Sequence, residues 1–106
     1  MCKNMIFIHV TYPDEEEAKK VSKLIIEKGL AGTVNLSRVN SLYQGDEELV
    51  SQPGITILIK TVEAKVQEIE NLIHEQNHQK IPPCIAVINI FRVNKEYKEW
   101  LQTRIK

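Results

Sequence analysis

Two runs of this chain, Met5–Val10 (Met-Ile-Phe-Ile-His-Val) and Cys84–Phe91 (Cys-Ile-Ala-Val-Ile-Asn-Ile-Phe), are apolar at nearly every position. A strand with one wet face alternates polar and apolar side chains, whereas a strand covered on both faces does not. The shortness of the runs and their β-branched residues predict strands rather than helices. A sheet that contains them needs cover on both faces, and this requirement constrains the rest of the fold.

Between these runs the periodicity changes several times. Thr11-Tyr12-Pro13-Asp14 breaks the first strand. Asp14 and Glu17 have the spacing of a capping box, and the three glutamates 15 to 17 suit the positive end of a helix dipole. Ala18, Val21, Leu24 and Ile25 then form one apolar stripe, which Lys28-Gly29 closes. From Thr33 to Tyr43 the alternation has two phases, Val34 and Leu36 against Val39 and Tyr43, which predicts a bulge near Ser37-Arg38. Gln44 to Gly54 is polar and reads as a hairpin connection, followed by a third strand through Ile55, Ile57 and Ile59. Thr61 is the expected cap of a second helix with Val62, Val66, Ile69 and Ile73 on its apolar face. That helix fades at Gln76–Gln79, and Ile81-Pro82-Pro83 forbids its continuation. After the fourth strand, Asn94 is placed to cap a last helix with Tyr97, Trp100, Leu101 and Ile105 on its apolar side.

The order β-α-β-β-α-β-α is that of an α+β domain, a ferredoxin-like split β-α-β sandwich over residues 1–106. It predicts a four-stranded antiparallel sheet with two helices on one face. The last helix is too short to cover the other face, so self-association through that face is expected. With 14 Lys and Arg against 14 Asp and Glu the net charge is zero. A neutral chain has no cation excess for non-specific nucleic-acid binding and little self-repulsion to oppose association. The third strand offers no aromatics for stacking RNA bases. Cys2 and Cys84 do not form a disulfide framework, no secretory signal precedes the first strand, and no apolar stretch reaches the roughly 20 residues of a membrane span. A cytoplasmic protein with no nucleic-acid or membrane partner is expected.

Six short motifs, in order and on the same elements, resemble the CutA family of divalent-cation tolerance proteins. They are Thr11-Tyr12-Pro13-Asp14-Glu15-Glu16-Glu17-Ala18, Leu30-Ala31-Gly32-Thr33-Val34-Asn35, Ser41-Leu42-Tyr43, Lys60-Thr61, Ile81-Pro82, and Tyr97 with Trp100. The resemblance covers nearly the whole chain. It implies a ferredoxin-like fold, a tight homotrimer with sheets around a threefold axis, and a link to divalent-metal homeostasis, copper above all. Three positions depart from the family pattern. Thr33 stands at the family's cysteine, Asn77-His78-Gln79-Lys80 replaces its His-Pro-Tyr-Glu, and Gly45 and Glu47 replace its Trp-x-Gly.

Copper and zinc take imidazole and thiolate ligands that converge on one point. His74 and His78 lie four residues apart and would share a face if the second helix reached that far. His78 is also one position from the family's histidine, and Cys84 follows the nearby prolines. His74, His78 and Cys84 are therefore the candidate ligands for Cu(II) or another divalent metal, set against a solvated helix end and a small buried cysteine. His9 alternates with Phe7 and Thr11 and reads as a core or interface histidine. No nucleophile with an adjacent base and no Gly-rich phosphate loop is evident, and the acidic runs 15–17 and 46–48 read as cap and solvated loop. A non-enzymatic role is expected. By resemblance, Tyr43, Lys60 and Trp100 would lie near an inter-subunit cleft, where Trp100 could stack on a ligand and Lys60 could meet an anion. The alternative function is thus a trimeric module that senses a small ligand or docks a signalling partner in such clefts.

Overall fold

A computed structural model describes residues 4–106, so Cys2 lies outside the described residues. The strands are β1 (Met5–Tyr12), β2 (Thr33–Gln44), β3 (Leu49–Val62) and β4 (Ala86–Asn89); the helices are α1 (Glu15–Glu27), α2 (Val66–Glu75) and α3 (Lys95–Arg104). The sheet order is β2-β3-β1-β4 and every pairing is antiparallel. This is the expected split β-α-β arrangement, with each crossover helix passing over one intervening strand.

Pairing places Ile6, Ile8, Val10 and Tyr12 of β1 on the same face as Ile55, Ile57 and Ile59 of β3. These residues form the core with Ala18, Val21 and Ile25 of α1 and Ile69, Leu72 and Ile73 of α2. Asp14 caps α1, its Oδ1 accepting from the Glu16 N–H at 3.1 Å. The reciprocal half of the box is not made, because Glu17 Oε1 accepts instead from the His78 N–H at 3.4 Å. At the other end Gly29 takes φ 68°, which only glycine adopts without strain. The Gly29 N–H bonds Ile26 O and the Leu30 N–H bonds Ile25 O, the paired closure of a Schellman motif.

The opposite sheet face is covered only at one end. There α3 buries Leu101 against Met5 and Val62, with Phe7, Val93, Tyr97 and Ile105 around them. His9, on this same face, is exposed, which removes the core reading of that residue and leaves it on an uncovered surface.

Five expectations need correction. The β2–β3 register runs unbroken from Thr33↔Lys60 to Gln44↔Leu49, so there is no bulge at Ser37-Arg38. The phase change marks instead the place where the hairpin leaves the helical layer. β1 ends opposite Ile55, and beyond that point neither ribbon face lies over the core. The stretch Leu49–Gly54 is strand, and the connection is only residues 45–48, closed by the Gly45 N–H on Glu48 O at 2.8 Å. Pro53 fits within β3 because there the strand has one neighbour rather than two. Gly54 is required, since a Cβ would stand 2.6 Å from the Tyr12 carbonyl oxygen. Thr61 does not cap a helix; it is buried in β3 and its Oγ1 donates to Leu30 O at 2.6 Å. Val62 belongs to the α3 cluster rather than to the apolar face of α2, which starts at Val66 after a single 3₁₀ turn. The fourth strand is four residues long, with Cys84 exposed before it rather than buried within it.

The projecting ribbon makes the molecule long, with extents of 52 × 26 × 20 Å and a radius of gyration of 14.8 Å. A compact chain of this length has about 13 Å.

Glu15 anchors α1 to the ribbon by pairing with Lys19 at 2.9 Å and Arg38 at 3.5 Å. The Lys19 hydrogen bond, then the charges of Lys19 and Arg38, hold its carboxyl below the ordinary glutamate value. A depressed folded pKa contributes stability above the unfolded value and loses it as pH falls through the folded one. Glu15→Gln should therefore lower the Tm slightly at neutral pH, with the difference from the parent shrinking through the carboxylate range. The effect is small because the pair is exposed. Melting curves from neutral to acid pH check this.

Candidate functional site

Three features meet where the ribbon leaves the core: the end of β1, the start of α1 and the irregular segment after α2. They enclose a groove of about 790 Å³ that includes Tyr12, Glu17, Tyr43, His78, Lys80 and Cys84 in its lining. The groove exists because Pro13 turns the chain away from the sheet while β3 continues, and because Ile81-Pro82-Pro83 keeps the last approach to β4 extended.

Of the candidate metal ligands, His78 and Cys84 line this groove and Cys84 carries an exposed free thiol. His74 is exposed in the last turn of α2 and does not line it. The helix stops at Glu75, so the four-residue spacing of His74 and His78 is not realised as one helical face. Among the described residues no three His, Cys, Asp or Glu side chains converge into a metal-holding group. The groove lining thus includes one imidazole and one thiol, short of the closed four-ligand cage of a structural zinc site.

The family's cysteine position shows what took its place. The Thr33 hydroxyl is 2.9 Å from the Tyr97 hydroxyl, tying β2 to α3. A neutral hydroxyl engaged in this way is a poor ligand for a soft cation, so the position has become a structural tie.

The three cleft residues do not come together within one chain. Tyr43 lines the groove and donates to Gln52 Oε1 at 3.3 Å. Lys60 is at the far end of the sheet, its Nζ 5.6 Å from the Phe7 ring centre and 5.8 Å from that of Tyr97. Trp100 lies beside it, 5.6 Å from Tyr97 between ring centres and 5.4 Å from the Arg104 guanidinium. Tyr43 pairs with Val50, ten residues from Lys60 along β3, a separation of about 34 Å on an extended strand.

Residues that the sequence reading did not single out also shape the groove. Tyr12 is almost fully buried yet its hydroxyl has no partner, and Gln79 Nε2 is likewise unpaired. Burial, reinforced by the nearby Glu17 carboxylate, raises the Tyr12 pKa well above the ordinary tyrosine value. The signal in the sequence was the even phase of β1, which sends Tyr12 inward.

The sequence profile described as CutA1 divalent ion tolerance protein matches residues 6–104. The chain is 29% identical over 100 residues to the "Divalent-cation tolerance protein CutA" of Archaeoglobus fulgidus, covering 94% of this chain and 97% of that one. A solved structure of a CutA from A. fulgidus, described as periplasmic, superposes with a TM-score of 0.89 at 27% identity, covering 96% of this chain and 99% of that one. The CutA1 of Ehrlichia chaffeensis superposes with a TM-score of 0.90 at 25% identity, covering 98% and 97%.

Proposed function

The chain belongs to the CutA1 divalent ion tolerance protein family, and on that premise we propose that it acts in tolerance to divalent metal ions, copper foremost, as a non-enzymatic cytoplasmic homotrimer. The family match across residues 6–104 carries this reading. The metal is cargo here. His78 and Cys84, in the groove beside the ribbon, are the donors this chain offers to it.

Self-association is supported by apolar surface that the single chain leaves bare. Leu42 and Leu49 on the ribbon are each 67% exposed, and Phe91 is 97% exposed. Small domains often complete their cores with a second copy, and the count of three comes from the family resemblance. The exposed free thiol of Cys84 suits a reducing compartment.

The tolerance reading is tested by expressing the chain in a copper-sensitive host. Growth should extend to higher copper than in cells carrying an empty vector, and His78→Ala should reduce the gain. Growth identical to the vector control would overturn the reading.

A further inference from the structure

The ribbon and the body of the molecule carry opposite charge. Between residues 39 and 54 the only Asp, Glu, Lys or Arg side chains are Asp46, Glu47 and Glu48, all exposed at the tip. The net charge of the chain is zero, so the rest of it holds three more cations than carboxylates. Among the described residues none of the three tip carboxylates forms an ion pair. The exposed Leu42 and Leu49 lie beside them on the ribbon.

The far end of the sheet presents the complement. Lys60, Phe7 and Ile88 stand in one cross-strand row on the face that α3 covers only in part. Lys60 Nζ is 5.6 Å from the Phe7 ring centre and 5.8 Å from that of Tyr97. Tyr97 is 5.6 Å from Trp100, whose ring lies 5.4 Å from the Arg104 guanidinium. A continuous run of rings thus joins the two cations into one patch. Neither cation forms an ion pair among the described residues. The α3 helix and Lys60 together carry Lys60, Lys95, Lys98 and Arg104 against Glu96 and Glu99, so this end is net positive. Ile88 and Trp100 are exposed. Exposed tryptophan beside tyrosine and arginine is the composition of a binding hot spot.

Tip and patch cannot meet within one chain. Leu49 and Lys60 are eleven residues apart on β3, about 37 Å of extended strand. In a ring of three copies, however, every contact is heterologous and joins one patch to a different patch on the next copy. We propose that the acidic ribbon tip of one copy docks on the Lys60–Trp100–Arg104 patch of a second copy, Glu47 and Glu48 meeting the two cations and the ribbon leucines packing on Ile88 and Trp100. This docking rests on the self-association reading and specifies which two surfaces meet.

The test reads the mass of the full chain across protein concentrations, in a fixed urea concentration at which the parent dissociates within the range. Urea is uncharged, so ion pairs are not screened. Glu47→Lys with Glu48→Lys should raise the dissociation constant about tenfold or more, because the tip then meets like charge. Lys60→Glu with Arg104→Glu should do the same. Arg104→Glu alone, at an exposed helix end, should give part of the loss without touching the Phe7 and Tyr97 packing. A chain carrying all four reversals should regain most of the parent's association, which a general loss of stability would not allow. A parent that is a single chain even without urea would overturn the self-association reading, and this docking with it. A parent that assembles while the reversals leave its dissociation constant unchanged would overturn the docking alone, and leave the patch to a different acidic protein. A fourfold variant that associates no better than the twofold ones would also overturn it.

Discussion

Replacing Leu42 and Leu49 together by aspartate is expected to convert the proposed homotrimer, three times 12.2 kDa, into single chains. Leu42 pairs with Ser51, and Leu49 pairs with Gln44 two positions further along the ribbon. The two leucines therefore lie on one face as diagonal neighbours. That face is the one α1 and α2 cover nearer the core, but here it lies beyond the end of β1 and each leucine is 67% exposed. A two-stranded ribbon is marginal in water on its own. Each leucine buried against another copy contributes about 2 kcal/mol, and a threefold assembly repeats the contact three times. Aspartate at the same positions would lose that burial and place unpaired charges in the contact, at a further cost of several kcal/mol. The core of Ile6, Ile8, Val10 and their partners does not include the ribbon tip, so the separated chains should keep their fold. Light scattering with circular dichroism checks both halves. An unchanged mass would place the interface elsewhere.

Leu101→Ala is expected to destabilise the chain by about 3 kcal/mol, within the range for a buried leucine truncated to a methyl group. Leu101 is the one residue of α3 that is fully buried. It packs with Met5 and Val62, and a Cβ on Gly32 would overlap its side chain. Without this anchor the helix retains the Thr33–Tyr97 hydroxyl bond and the Ile105 and Tyr97 packing, which are peripheral. Denaturant unfolding should show the loss, and exchange of the α3 amides should rise with it. A cost below about 1 kcal/mol would mean that α3 is held by something other than this cluster.

The element order was legible because it rests on local signals. The Asp14 cap and the Gly29 closure of α1 are each written in a few residues, whereas Asn94 precedes α3 without a side-chain cap bond and α2 ends at Glu75, well ahead of Pro82. What was not legible depended on neighbours distant in sequence. The two phases of β2 read as a bulge because a strand was assumed to lie over one layer throughout, whereas the ribbon passes from covered to uncovered at Arg38. Leu49–Gly54 read as a loop because its strand character comes from backbone pairing with β2, not from its side chains. Thr61 has a capping residue type, but a carbonyl thirty-one residues earlier claims its hydroxyl. For the site, His78 and Cys84 line one groove, and Tyr43 lies about 34 Å along the sheet from Lys60 within one chain, a separation that follows from the length of β3. Tyr12 was not singled out because an inward tyrosine is ordinary until its buried hydroxyl is found without a partner.

The most direct test of the divalent-metal role is the amount of copper bound per chain at equilibrium with a competing chelator, measured for the parent and for His78→Ala. Stoichiometric binding by the parent and its loss in the variant are expected. No binding by the parent above the chelator would contradict it, and would mean that the metal function left with the family's cysteine and histidine.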